Sequence, residues 1–145
     1  KPVYDAITKN GCEIHAMIVW HKINAKYAAV NAQYKQRHEP CLYFKPKGSI
    51  LRWVGPTDEC TIWEIKRDAV NEYHPTQKPI ELAMRAMGNH NVSIVLDCFI
   101  GSGSTIIAGE NLDRKVRAIE LDPGYCAVTL QRFFDLTGIQ PKLIS

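Results

Sequence analysis

The sequence predicts an α/β fold with parallel strands, on three observations. In the second half of the 145 residues, apolar runs suited to strands alternate with segments of helical spacing, in the order strand, helix, strand, helix. The run SIVLD (93–97) is apolar without interruption up to its terminal acid, as a strand covered on both faces would be. A glycine loop, IGSGST (100–105), joins that run to the helix behind it. Strands connected in this way form right-handed crossovers in one parallel sheet.

The elements follow in chain order. Residues 3–10 suit a short helix closed by Gly11, and EIHAMIVW (13–20) is rich enough in β-branched and aromatic residues for a strand. A polar, basic segment runs to His38. CLYFK (41–45) is a second strand, stopped at Pro46 and Gly48, and CTIWEI (60–65) is a third. Between them KGSILRWVGPTDE has no regular pattern. Pro79 opens a helix over IELAMRAM (80–87) that ends at Gly88. After SIVLD come a helix from about Ser104 to Leu112, the strand KVRAIEL (115–121), and a helix from Pro123 to Leu136 stopped by Gly138. Trp20 and Trp63 are expected in the core, with Trp53 open to either role.

Composition narrows the class. A chain of this length with 46% hydrophobic residues can bury the core of one ordinary domain. Charged residues of both signs make up 23%, which argues against disorder. No run of about eighteen apolar residues occurs, and the start, KPVYDAITKN, lacks the apolar core of a signal peptide. The five cysteines form no CxxC pair, so neither a zinc site nor a disulfide framework is expected. Reduced thiols in a cytoplasmic protein without membrane contact are the expectation. The first residue is lysine, and the chain is expected to be a piece of something longer.

The net charge of +3 is unevenly spread. Lys22, Lys26, Lys35, Arg37, Lys45, Lys47 and Arg52 face a single acid, Glu39, between His21 and Arg52, whereas the rest of the chain has more acids than bases. Such a local excess suits a polyanion, although a solvated lysine-rich loop would have the same composition.

The glycine loop decides more. A Walker phosphate loop needs GxxxxGK[ST], and no lysine follows Gly103 before Lys115. A dinucleotide fingerprint needs a third glycine where Ile106 stands, and Asp97 at the mouth of the loop would repel a pyrophosphate. An acid there suits a cationic group instead. Glu120 ends the next strand, where an acid accepts hydrogen bonds from ribose hydroxyls in nucleotide-binding βαβ units. Taken singly, Asp97 could merely cap the loop and Glu120 could be a surface acid. Together, with a glycine turn that allows close backbone approach, they fit a nucleoside bearing an amino-acid tail. S-adenosylmethionine is such a molecule.

HPTQKPIELAMRAM (74–87), VLDCFIGSGST (95–105) and AIELDPGYCAVTLQRF (118–133) resemble the C-terminal part of the amino-methylating DNA methyltransferases, in the motif order of their beta arrangement. IVWHK (18–22), YKQRHEPCLYFKPKG (34–48) and TIWEIKRD (61–68) resemble the segment upstream of those motifs, so the likeness covers nearly the whole chain. The resemblance implies a Rossmann-like, S-adenosylmethionine-dependent methyltransferase sheet with flanking helices. It also implies transfer of a methyl group to the exocyclic amine of adenine (N6) or cytosine (N4) in double-stranded DNA. Asp97, Phe99, Gly101, Ser102, Gly103 and Ser104 match the family's cofactor loop, and Glu120 matches the acid that holds the ribose. His74, Pro75, Thr76 and Lys78 match the motif that closes over the cofactor's amino-acid end. Cys98 stands where proline is most common.

One family motif is absent. The catalytic residues there are Asp, Asn or Ser followed by two prolines and an aromatic, and this sequence has no Pro-Pro pair. The resemblance therefore implies a single partial domain, with 1–73 on the DNA side and 74–145 as the cofactor half. The catalytic strand would lie upstream, the chain alone would be inactive, and the partner would be that missing part or a second copy. Without that strand, SIVLD would expose an unpaired edge. Lys22, Lys26, Lys35, Arg37 and Arg52, interleaved with Tyr27, Tyr34 and Trp53, are the candidates for phosphate contact. Two other classes stay open at this point. One is a nicotinamide oxidoreductase with a degenerate fingerprint; the other is a non-catalytic domain of the same fold that binds nucleic acid or a partner chain.

Overall fold

A computed structural model describes residues 2–23, 33–66 and 77–144. The chain forms two compact units, Lys1–Arg67 and Asp68–Ser145.

The first unit holds α1 (Pro2–Lys9), β1 (Cys12–Lys22), β2 (His38–Pro46) and β3 (Ile62–Ile65). Asp5 in the first turn of α1 and Lys9 in its last complement the helix dipole. The sheet order is β2-β1-β3. β1 pairs antiparallel with β2 from Cys12↔Pro46 to His21↔His38, with a bulge between Ile14 and Ala16. It pairs parallel with β3 from Val19↔Ile62 to Lys22↔Ile65. Pro40 and Pro46 both fall in β2, an edge strand, where a missing N–H can face away from the ladder.

Trp20 (2% exposed) and Trp63 (4%) stand opposite one another on β1 and β3 and make the core with Ile65. Both were expected inside. Buried indoles remove on the order of 150–250 Å² each from water and need a partner for their N–H. Trp20 Nε1 donates to the Ile65 carbonyl at 2.8 Å, and Trp63 Nε1 donates to Glu59 Oε1 at 2.9 Å and to the Cys60 carbonyl at 3.1 Å. The strand expected over 60–65 is observed from Ile62, and just before it the Thr61 carbonyl takes the Val19 N–H at 2.7 Å.

The second unit holds α2 (Ile80–Gly88), β4 (Ile94–Asp97), α3 (Ser104–Asn111), β5 (Lys115–Ala118) and α4 (Pro123–Thr137). β4 and β5 run parallel, in register from Ile94↔Lys115 to Asp97↔Ala118. α3 packs against α2, β5 and α4. Gly109 of α3 lies so close to the Val116 side chain of β5 that a Cβ would collide with it. α4 begins at Asp122, whose Oδ1 accepts the N–H groups of Gly124 (2.7 Å) and Tyr125 (3.3 Å), with Pro123 in the first turn. It ends at Gly138 in the left-handed region.

Two expectations need correction. SIVLD is not covered on both faces: Ile94 is 58% and Leu96 66% exposed. Val95 and its partner Val116 share the face that α3 covers, and among the described residues of the second unit no element covers the opposite one. β5 is the only strand hydrogen-bonded to β4 among the described residues. The strand expected over 115–121 ends at Ala118. Ile119 still bonds across, through Ile119 N–H to Asp97 O (2.9 Å) and Ile100 N–H to Ile119 O (3.2 Å). Beyond it, Glu120 Oε1 accepts the N–H groups of Leu121 and Asp122, both at 2.9 Å, and turns the chain toward α4. No helix among the described residues is long and apolar enough to cross a membrane.

Candidate functional site

The C-terminal ends of β4 and β5 build a site around the glycine loop. Asp97 closes β4, and its carboxylate braces the loop at two points. Oδ1 accepts the Phe99 N–H at 2.9 Å, and Oδ2 accepts the Thr105 hydroxyl at 2.6 Å. The loop then turns through the Gly103 N–H to Ile100 carbonyl bond (3.1 Å) and enters α3 at Gly103, whose φ of 86° lies in the left-handed region. Two constraints meet at this glycine. The backbone angle is strained for any L side chain, and a Cβ would sit 2.8 Å from Thr129 Oγ1.

Glu120 ties the second strand to the loop. Its Oε2 accepts the Gly101 N–H at 2.7 Å while Oε1 serves Leu121 and Asp122. Three backbone donors thus hold the Glu120 carboxylate in place. Two acids thus stand at adjacent strand ends on either side of one glycine turn, each fixed by hydrogen bonds before any ligand arrives.

The fold brings together Lys78, Asp97, Phe99, Gly101, Ser102, Gly103, Ser104 and Glu120 of the expected site. His74, Pro75 and Thr76 lie outside the described residues. Ser104 Oγ donates to the Lys78 carbonyl at 2.7 Å, which anchors the end of the HPTQKP segment beside the loop. Ser102 and Ser104 are buried and Phe99 is almost fully exposed, so the phenylalanine ring is the apolar group that the loop presents outward.

Sequence reasoning missed four contributors. Thr105 holds Asp97, and Gly109 sets how near α3 comes to β5. Thr129 Oγ1 donates to the Gly101 carbonyl at 2.9 Å, and Arg132 donates to the Ser102 carbonyl. No side-chain pattern in the helical stretch around them signals the last pair.

In the first unit, the candidate cations have distinct surroundings. Lys22 forms an ion pair with Glu39 at 2.5 Å and lies 5.1 Å from the Trp20 ring centroid. Arg37 donates to the Ile23 carbonyl, and its own carbonyl accepts the Lys22 N–H at 2.7 Å. Lys35, Arg52 and Tyr34 are exposed, and Trp53 is partly so. Lys26 and Tyr27 lie outside the described residues. No cluster of His, Cys, Asp or Glu suited to a metal ion occurs among the described residues.

Residues 1–131 match the family model N6_N4_Mtase, described as DNA methylase. The chain belongs to this N6/N4 DNA methylase family. It is 33% identical over 118 residues to the putative methylase YubD of Escherichia coli (strain K12), covering 79% of this chain and 50% of that relative. It is 24% identical over 152 residues to the type II methyltransferase M2.MboI of Moraxella bovis, covering 94% of this chain and 56% of the relative. Among solved structures, the M1.HpyAVI–SAM complex superimposes with a TM-score of 0.79 at 29% identity, over 91% of this chain and 68% of that one. The N6/N4 methylase chain thus spans about half the length of the curated relatives it matches.

Proposed function

We propose that this N6/N4 methylase chain forms the cofactor-binding part of a site-specific DNA methyltransferase. The whole protein would move a methyl group from S-adenosylmethionine to the exocyclic amine of adenine or cytosine. The observation that carries the proposal is the pair of braced carboxylates, Asp97 and Glu120, at neighbouring parallel strand ends around the Gly101–Gly103 turn. A phosphate site would gather donors, whereas this one gathers acceptors, and acceptors suit a ribose and an ammonium group. The relative M1.HpyAVI is seen in complex with SAM.

Two parts of the cofactor, the ribose and the amino-acid end, find suitable groups here. Gly103 lets the turn pass close to Thr129 of α4, and Glu120 is a carboxylate at the place where such an acid accepts ribose hydroxyls. Asp97 offers negative charge near the amino-acid end, and Lys78, with His74, Pro75 and Thr76, belongs to the segment that would close over that end. S-adenosylmethionine supplies the electrophilic methyl on its sulfonium. The chain's own residues bind and orient. No polar-Pro-Pro-aromatic motif occurs in these 145 residues, so the proposal assigns the chain no residue that holds the base.

In the same proposal, residues 1–73 form the DNA side and 74–145 the cofactor half. Lys35 and Arg52, exposed in the first unit, are the leading candidates for phosphate contact. Calorimetric titration with S-adenosylmethionine and, in parallel, with NADH tests the cofactor assignment. Saturable binding of the first alone is expected. Binding of NADH, or of neither, overturns it. Transfer of radiolabelled methyl to duplex DNA by the whole protein tests the activity.

A further inference from the structure

The carbonyls of the glycine loop raise a problem that the proposed function leaves open. A tight glycine turn must find partners for its carbonyl oxygens, because buried backbone acceptors without partners are costly. Here both loop carbonyls next to Gly101 and Ser102 are taken by one helix. Thr129 Oγ1 reaches the Gly101 carbonyl at 2.9 Å. Arg132 Nη1 donates to the Ser102 carbonyl and lies 3.4 Å from the Ser102 hydroxyl. The two side chains sit three residues apart on α4, hence on one helix face, and are 5% and 9% exposed. Thr129 also walls the loop from below, since its Cγ2 lies 2.9 Å from where a Cβ on Gly103 would be.

Packing does not account for this pair. A guanidinium withdrawn from water is expensive unless its N–H groups are satisfied, and an apolar side chain would fill the same volume at less cost. What an apolar side chain cannot do is fix the direction of a peptide plane. Each peptide is planar and trans. Holding the Gly101 carbonyl toward α4 therefore turns the Ser102 N–H to the side away from that helix.

We propose that Thr129 and Arg132 are positioning residues of the cofactor loop: from α4 they hold the Gly101 and Ser102 carbonyls, and so fix the loop's peptide planes and the direction of the Ser102 N–H before the ligand binds. The inference rests on the reading of this loop as the S-adenosylmethionine seat, and its structural half can be measured without the ligand.

The experiment compares this chain with Thr129→Val, Thr129→Ser, Arg132→Met and Arg132→Lys. Amide hydrogen exchange over residues 100–104 is followed without ligand, S-adenosylmethionine affinity is measured by calorimetry, and global stability by urea titration. Val keeps the methyl against Gly103 and loses the donor, whereas Ser keeps the donor. Loop exchange should rise and affinity fall about tenfold, the size of one lost hydrogen bond, in Thr129→Val and Arg132→Met. Thr129→Ser and Arg132→Lys should recover most of both. Unchanged loop exchange in Thr129→Val and Arg132→Met overturns the proposal. So does a loss of affinity that tracks global stability in all four variants with no rescue. If the unmodified chain binds no S-adenosylmethionine while the exchange contrast persists, the cofactor reading falls and the positioning role stands.

Discussion

Glu120 Oε2 accepts the Gly101 N–H at 2.7 Å, so an acid that follows β5 holds a glycine in the loop that follows β4. The same carboxylate carries the Leu121 and Asp122 amides on its other oxygen. Glu120→Gln leaves one acceptor oxygen for three donors and removes the charge. Charge-assisted bonds of this kind contribute about 1.5–3 kcal/mol. S-adenosylmethionine affinity should fall about ten- to a hundredfold in Glu120→Gln, measured by calorimetry. An unchanged affinity would remove Glu120 from the site.

Asp97 separates a ligand role from a structural one. Asn at this position keeps an oxygen for the Phe99 N–H and an amide group for the Thr105 hydroxyl, so the loop brace is largely retained. Thermal stability of Asp97→Asn should therefore stay within about 1 kcal/mol of the parent, while S-adenosylmethionine binding weakens about tenfold from loss of the charge. Full affinity in the variant would mean that Asp97 only caps the loop.

Gly103→Ala tests the two constraints at the start of α3. The left-handed backbone costs about 1 kcal/mol for an L residue, and the collision with Thr129 adds overpacking of about 1–3 kcal/mol. The single variant should lose about 2–4 kcal/mol in urea unfolding. Gly103→Ala combined with Thr129→Ala should recover the collision part and not the backbone part. Simple additivity of the two variants would show that the contact does not act.

The basic surface of the first unit makes a separate prediction. Lys22 already pairs with Glu39, and Arg37 supports the Ile23 carbonyl, so charge reversal there would mix structural and binding effects. Lys35 and Arg52 are both exposed, and the double variant Lys35→Glu with Arg52→Glu tests that surface. Each phosphate contact contributes about 0.9 to the slope of log affinity against log salt. The double variant should flatten that slope by about two in DNA binding by the whole protein. A slope that does not move would place the phosphates elsewhere.

Glu13 and Lys45 give a pH dependence. The Lys45 ammonium, 3.1 Å from Glu13 Oε1, holds the Glu13 carboxyl below its ordinary value of 4.5, against a smaller opposing effect of desolvation. A carboxyl lowered in the folded state adds stability that is present above its unfolded value and is lost as pH falls through the folded one. The difference in urea midpoint between the parent and Lys45→Met should be open at neutral pH and close as the solution is acidified below 4.5. A difference that is constant with pH would assign Lys45 to packing and to its bond with the Ser49 carbonyl.

Much of the second unit was legible because its signals are local. Pro123 behind Asp122 marks the start of α4, Gly138 marks its end, and the run before Asp97 marks β4. Asp97 stands at the end of β4 as expected, whereas Glu120 lies beyond the end of β5 and is held there by the backbone amides of Gly101, Leu121 and Asp122. The first unit was less legible. Antiparallel pairing of β1 with β2 and parallel pairing with β3 are long-range choices that no short window encodes. Thr129 and Arg132 were unreadable for a different reason: their partners are backbone carbonyls, which every residue has, so no side-chain pattern announces them. Coverage of β4 failed because an apolar run records what a strand tolerates, and not which layer is present.

That open face has a calorimetric consequence. Ile94, Leu96 and Ile119 already meet water in the folded chain. The heat-capacity increase on unfolding comes from apolar area newly hydrated, about 0.45 cal/K/mol per Å², and these side chains add little to it. The increment for the chain should lie below that of a fully covered domain of the same 46% hydrophobic composition. Its stability would then vary gently with temperature, with a broad, shallow maximum in place of a sharp dome.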